Sequence, residues 1–122
     1  GDIDVKQILD TINNRIEKLI DKDHKIGHSY FMSIKTKEDL IKAFKDKVIP
    51  LLEEYFFGDF GKIGLVLGNT FISKTGKEDV DFADFDEYDS SIKNDLMERS
   101  VFEIKPEDEW NFESIYTKSN NS

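Results

Sequence analysis

Apolar residues recur every three to four positions over residues 4–21. This spacing is that of an amphipathic helix with one buried face. Asp4 precedes the first apolar position and can cap the helix, with Gln7 placed to reach back to it. The apolar positions are Val5, Ile8, Leu9, Ile12, Ile16, Leu19 and Ile20.

A second helical pattern covers residues 36–57. Thr36, with Asp39 three positions later, forms a variant of the capping box. Pro50 lies inside the pattern, where it removes a backbone donor and clashes with the carbonyl of Asp46. We expect a kink or a break there, and the unbroken apolar phase on both sides of Pro50 favours a kink.

A short apolar run at residues 63–67 lies among glycines, and its period fits either a helix or a strand. Asp59 is placed to cap a helix, which favours a short helix over residues 60–67. Aromatic and β-branched runs at residues 70–73 and 101–104 predict two short strands that pair.

The residues between these strands form an excursion that holds a predicted helix at residues 90–98. Pro106 is expected to open a final helix through Trp110 and Tyr116. Gly27, after the first helix, is a candidate for the positive φ that a tight turn often needs.

Together the patterns predict an α+β fold that is mainly α: a helical bundle with a small two-stranded β element. Residues 1–72 are predicted to form a helical subdomain, and residues 73–122 a C-terminal extension packed on it in one compact unit. The predicted core includes Ile8, Ile12, Leu19, Phe44, Leu51, Leu52 and Phe56.

Composition narrows the class of protein. Hydrophobic residues make up 38% of the 122 positions and charged residues 35%, as in a folded domain. No run approaches the roughly 20 apolar residues that span a bilayer, so we expect no membrane partner. Cysteine is absent, which fits a reducing cytoplasm. The net charge of −9 argues against direct DNA binding.

The chain holds no recognisable catalytic motif. The pairs Gly61-Lys62 and Gly76-Lys77 lack both the first glycine and the hydroxyl residue of a P-loop. Neither a cysteine nucleophile nor a serine elbow is present. We therefore predict that this chain alone is not an enzyme.

The seven residues 26–32 combine a glycine, an imidazole, a hydroxyl and two aromatic rings between the helices. They fit a connector whose aromatics fill the core, or a functional turn that presents His28 and Ser29 to a ligand. His24 and His28 have the spacing of a metal pair on a helix, but Gly27 interrupts the helix, so a solvent-exposed His24 is favoured over a zinc site.

Residues 78–89 hold seven acidic residues in twelve positions and no basic one. Val80, Phe82, Phe85 and Tyr88 interrupt them. The segment fits a solvated acidic loop or a docking surface for a basic partner.

Four segments in this order resemble the lid region of McrB-type AAA+ proteins. The resemblance covers residues 12 to about 72, and residues 73–105 match no pattern of the family. The four segments are Ile12–Ile16, Asp23–Phe31, Val48–Phe57 and Lys62–Gly68.

The resemblance implies a helical lid-type bundle belonging to a parent protein that assembles into rings and hydrolyses ATP or GTP with magnesium. McrB-like proteins act with a separate nuclease subunit in restriction of methylated DNA. Their P-loop, magnesium site and arginine finger precede the lid, so the chain itself would hold no cofactor. Its implied partners are its own P-loop subdomain, neighbouring AAA+ subunits and the nuclease subunit.

AAA+ lids supply a sensor group, commonly an arginine, that touches the nucleotide. By resemblance, the nucleotide-facing candidates are Gly27, His28, Ser29 and Arg15. Arg15 flanks the apolar stripe of the first helix, so its alternative role is an ion pair with an acidic residue. The alternative role of His28 is a local hydrogen bond.

A second function remains open, that of a free-standing acidic protein-interaction module. The two hypotheses predict different genes, because only a lid requires the P-loop motif G-x-x-x-x-G-K-[ST] upstream in the same open reading frame.

Overall fold

The protein is built from five α-helices and one two-stranded antiparallel sheet in the computed structural model, which describes residues 3–76 and 80–117. The predicted α+β, mainly helical fold is confirmed. The helices are α1 (Val5–Leu19), α2 (Lys37–Ala43), α3 (Ile49–Tyr55), α4 (Phe60–Leu67) and α5 (Ser90–Met97), and the strands are β1 (Ile72–Lys74) and β2 (Phe102–Ile104).

Helix α1 follows the predicted pattern up to its last turn. Asp4 caps it by accepting a hydrogen bond from the backbone N–H of Gln7 at 3.1 Å. Its central isoleucines, Ile8, Ile12 and Ile16, are fully buried. The prediction that Leu19 is a core residue is wrong: its side chain is 37% exposed. Leu19 is the last residue of α1, where the chain turns away and leaves the final turn partly uncovered.

Helix α2 starts at the predicted capping box. The backbone N–H of Asp39 donates to the Thr36 hydroxyl at 3.1 Å, and the N–H of Thr36 donates to the Asp39 carboxylate at 3.2 Å. The two bonds satisfy donors that a helix start otherwise leaves unpaired.

A π-helical turn, Phe44–Val48, joins α2 to α3, so helical backbone continues through Pro50. The N–H of Ile49 donates to the carbonyl of Phe44, five positions earlier. The expected interruption at Pro50 thus takes the form of a wider turn just before it. Regular i→i−4 bonding would set the carbonyl of Asp46 against the proline ring.

The end of α3 has an unusual backbone. Phe57 adopts a φ of 53° and Gly58 a φ of 75°. The N–H of Gly58 donates to the carbonyl of Glu53 at 2.8 Å, which closes the helix end. The left-handed conformation is usual for glycine but unfavourable for a residue with a Cβ. The Phe57 side chain is also 96% exposed.

Helix α4 resolves the ambiguous apolar run as helix. The side chain of Asp59 accepts from the N–H of Lys62 at 3.2 Å, as predicted for a cap. At the other end Gly68 has a φ of 95°, and its N–H donates to the carbonyl of Gly64. A glycine serves here because only it adopts this φ without steric cost.

The two predicted strands pair in antiparallel fashion, one or two residues from their expected bounds. Ile72 lies opposite Ile104, and Lys74 lies opposite Phe102. The excursion between them holds α5, close to the predicted helix at residues 90–98.

The predicted final helix after Pro106 is wrong. Two 3-10 turns, Glu107–Glu109 and Phe112–Ile115, occupy this region. Trp110 between them has an extended backbone, and its indole N–H donates to the carbonyl of Lys105 at 2.9 Å. This hydrogen bond keeps the backbone at Trp110 extended, so that a continuous helix cannot form.

The core joins the helices to the C-terminal segment. Phe44 is in contact with Phe71 (5.6 Å between ring centroids) and with Phe112 (4.8 Å), and Phe71 stacks on Trp110 (5.3 Å). We call Phe44, Phe71, Trp110 and Phe112 the aromatic cluster.

Of the remaining predicted core residues, Leu52 and Phe56 are buried, whereas Leu51 is only partly buried. Leu51 is adjacent to Leu52 and therefore lies about 100° around α3 from the buried face. Within the described ranges, none of the helices has the length and apolar character needed to cross a bilayer.

Candidate functional site

The connector, residues 20–36 between α1 and α2, begins with a capped 3-10 turn, Lys22–His24. The Asp21 carboxylate accepts from the backbone N–H groups of Asp23 and His24, at 2.9 and 3.1 Å, and contacts His24 Nδ1 at 2.7 Å. The hydrogen bond with the His24 ring is the main reason that the pKa of Asp21 is lowered. His24 is therefore engaged within the connector.

Asn13 of α1 fixes the middle of the connector. Its Nδ2 donates to the carbonyl of Ile26 at 2.9 Å, and its Oδ1 accepts from the N–H of Ile26 at 2.6 Å. The Ile26 side chain is buried. The amide thus replaces both backbone partners that Ile26 would find in regular secondary structure.

The turn that carries Gly27, His28 and Ser29 follows directly. The prediction of a positive φ at Gly27 is wrong, since its φ of −72° and ψ of 151° are extended, and a 3-10 turn, His28–Tyr30, begins after it. All three residues are exposed. Phe31 is buried, and its N–H donates to the carbonyl of His28 at 2.9 Å. An exposed turn is therefore held between two buried anchors, Ile26 and Phe31.

The connector also packs against the end of α3. The His24 ring meets Tyr55 edge-on, with 4.9 Å between ring centroids. Burial raises the pKa of Tyr55, and neighbouring Tyr30 and Glu54 add to the rise. The edge-on contact of His24 with Tyr55 thus fixes the connector against the end of α3.

Arg15 has a different partner from the predicted acid. Its Nη1 donates to the carbonyl of Val66 at 2.7 Å, near the C-terminal end of α4. Burial of the guanidinium lowers the pKa of Arg15. A cation at this end of a helix meets carbonyls that have no partner within the helix.

The structure separates Arg15 from the exposed turn. Arg15 and Asn13 are two positions apart, so their side chains leave α1 about 200° apart. Buried Ile12 and Ile16 lie between these two flanks. Asn13 holds the connector on one flank, and Arg15 holds α4 on the other. The predicted residues therefore form two separate groups rather than one cluster.

Sequence reasoning did not identify Asn13 as a site residue. The available signal in the sequence was the Asn13 side-chain amide on the polar edge of an amphipathic helix. Its hydrogen-bond partner, Ile26, is 13 positions away along the chain. Across residues 3–76 and 80–117, no group of three or more His, Asp or Glu side chains is arranged to hold a metal ion.

The chain matches the profile of a known protein family. The profile of the family described as "McrB, alpha-helical lid domain" matches residues 4–64, which are 61 of the 122 residues. The matched range contains α1, the connector, α2, α3 and the first part of α4. Neither the curated proteins nor the solved structures contain a significant match.

Proposed function

This chain belongs to the family of McrB alpha-helical lid domains, and on that basis we propose that it closes over the nucleotide bound by the P-loop subdomain of its parent protein. The parent is then a ring-forming AAA+ nucleoside-triphosphatase that uses ATP or GTP with magnesium. A lid regulates such a site by its position and leaves the catalytic groups to the P-loop subdomain.

The observation that carries the proposal is the exposed turn between the buried anchors Ile26 and Phe31. It lies within the matched residues. Gly27, His28 and Ser29 offer backbone amides, an imidazole and a hydroxyl, which suit a base, a ribose or a phosphate. Because the anchors are packed, the turn is positioned before any ligand arrives.

Arg15, on the other flank of α1, is the second nucleotide-facing candidate in this proposal, at a position separate from the exposed turn. A guanidinium has five N–H donors, and the contact with Val66 uses one of its nitrogens. Its other donors suit a phosphate oxygen. Its bond to the end of α4 also couples α1 to α4, so that the two helices move together when the lid moves.

The proposed partners follow from the same assignment. They are the P-loop subdomain, the neighbouring AAA+ subunits of the ring and, for a parent in a DNA restriction system, a nuclease subunit. The proposed location is the cytoplasm. With a net charge of −9, direct DNA contact is assigned to other parts of the parent.

The test uses the parent protein with His28→Ala. We expect nucleotide turnover to fall at least several-fold, with an unchanged melting temperature of the lid, because His28 is exposed and its loss creates no cavity. Met32→Ala is the matched control: Met32 is an exposed residue of the same connector, 81% accessible, and its loss should leave turnover unchanged. Unchanged turnover in His28→Ala, or equal losses of activity and stability, would remove His28 from the site.

A companion measurement addresses the chain alone. It lacks a phosphate cradle, so calorimetry with ATP or GTP should show no binding tighter than about 10 μM. The parent's reading frame should contain G-x-x-x-x-G-K-[ST] upstream of this chain. An open reading frame without that motif would favour the interaction-module alternative.

A further inference from the structure

An apolar surface lies mainly on the excursion between the strands, and the exposed apolar side chains that form it lie outside residues 4–64, which match the lid family. Its main side chains are partly or largely exposed: Phe82 (46%), Phe85 (61%), Tyr88 (46%), Ile92 (47%), Leu96 (36%) and Met97 (39%). We call this surface the excursion groove. A surface helix normally turns such residues towards the core.

Helix α5 forms one wall of the groove and is well built as a helix. Asp89 caps it by accepting from the N–H groups of Ser91 (2.8 Å) and Ile92 (3.3 Å). Yet in the part of the chain that the structure describes, α5 has no buried residue. Ile92 and Leu96 are four positions apart and share one face. Among the described residues, this face remains partly exposed, with Ile92 at 47% and Leu96 at 36%.

The groove has the shape of a binding surface. It consists of two adjoining hollows of about 680 and 330 Å³, and Phe82 and Leu96 line both. The larger hollow extends to Gly61 and Phe102 beside the sheet. In the smaller one the rings of Phe85 and Tyr88 stack, with centroids 6.5 Å apart. The shared side chains make the two hollows one continuous apolar floor.

The charged residues of the excursion indicate which class of partner the groove can bind. Between positions 80 and 99 there are seven acidic residues, all of them exposed, and two basic ones, Lys93 and Arg99, which line the smaller and the larger hollow respectively. A second copy of this chain, with its net charge of −9, would place like charges opposite each other. Nucleic acid is disfavoured for the same reason. The acidic residues are Asp81, Asp84, Asp86, Glu87, Asp89, Asp95 and Glu98.

We propose that the excursion groove binds a basic amphipathic helix of a partner protein. The apolar face of that helix lies on Phe82, Phe85 and Leu96, and its lysines or arginines meet the exposed acidic residues of the excursion. Helices bind apolar grooves in this way by side chains at helical spacing. The proposal is independent of nucleotide closure and gives the lid a second, adaptor role.

The test uses the isolated chain without nucleotide and a synthetic Leu/Lys peptide whose leucines have helical spacing. We expect saturable binding by calorimetry. The largest amide chemical-shift changes should fall at Phe82, Phe85 and Leu96, and His28 should show none. Because the readout needs no nucleotide, its failure leaves the proposed lid function untouched.

Variants of the chain distinguish binding in the groove from attraction of the peptide by the overall negative charge. Phe85→Ser and, separately, Leu96→Ser should each weaken binding by about tenfold or more. Both side chains lie outside the core, and circular dichroism verifies that each variant is folded. Leu65→Ser is the matched control: it changes an exposed leucine (66%) of α4 outside the groove and should bind like the original chain.

Variants of the peptide separate apolar contact from charge. A Lys/Ser peptide of equal charge should bind at least about tenfold more weakly, and a Leu/Glu peptide should not bind. Equal binding of the Lys/Ser peptide would overturn the proposal, as would equal weakening by Leu65→Ser. A stable dimer of the chain that Leu96→Ser dissolves would overturn it in favour of self-association.

Discussion

Asn13 shows how a single side chain determines the position of a candidate site. Its amide bonds both polar groups of the Ile26 backbone, immediately before the exposed turn. Asn14, the next residue, is exposed and offers the same chemistry to solvent. The two amides are alike in sequence and differ only in which flank of α1 they occupy.

Asn13→Ala is therefore expected to lower the free energy of unfolding by about 1–3 kcal/mol, because it leaves partly buried backbone groups unpaired. Urea denaturation followed by Trp110 fluorescence measures the change, and hydrogen exchange should be faster at the Ile26 amide. Asn14→Ala is the control and should be nearly neutral. Equal effects of the two substitutions would show that the Asn13 bonds contribute little.

Local sequence signals predicted many individual residues but not those with distant partners. Caps at Asp4, Thr36 and Asp59 were predictable because each acts on an amide three positions ahead. The contact of Arg15 with Val66 spans 51 positions and has no local signature. Phe57 was also unforeseen, since nothing in its neighbours requires a left-handed backbone at a bulky residue.

At the scale of elements, the helical period proved more reliable than the residues that interrupt helices. Helical backbone continues through Pro50 because the preceding π-helical turn accommodates it. The prediction of a final helix was wrong although the apolar spacing was suitable. The hydrogen bond from the Trp110 indole to the Lys105 carbonyl holds an extended backbone between two short turns. A backbone hydrogen bond decided the first outcome and a side-chain hydrogen bond the second, and the apolar period indicates neither of them.

Helix α3 permits a direct test of which face it buries. Leu52→Ala should cost about 2–5 kcal/mol, because the side chain is fully buried and its removal leaves a cavity. Leu51→Ala, one position away and only partly buried, should cost clearly less. Paired urea denaturations would measure the difference. A larger loss in Leu51→Ala would mean that α3 is rotated relative to the structure described here.

At the scale of the whole molecule, acid should destabilise the fold. The pKa of Asp39 is lowered by the backbone N–H groups of Lys35 and Thr36, that of Asp46 by Lys42, and that of Asp89 by Ser91. A carboxyl whose folded pKa is lowered stabilises the protein above its unfolded pKa, about 3.9 for Asp. That stability is lost as the pH falls through the folded pKa.

The expected result is a urea midpoint that decreases below about pH 4. Asp39→Asn should show a smaller decrease over the same range, because one of the contributing carboxyls is gone. Glu38→Gln, an exposed neighbour, is the control and should keep the original pH dependence. An unchanged midpoint between pH 5 and pH 3 would contradict the contribution of these carboxyls.

The packing of α1 against the turn Phe112–Ile115 has a consequence for synthesis on the ribosome. The backbone N–H of Asp4 donates to the Tyr116 hydroxyl at 3.3 Å, and Ile115 is fully buried in the shared core. Contacts between distant positions close late and slow folding. While the nascent chain still lacks Trp110 and Phe112, Phe44 and Phe71 lack two of the three aromatic rings that each contacts in the folded protein. We therefore expect chaperones to have access to these apolar side chains until almost all of the described residues have left the exit tunnel.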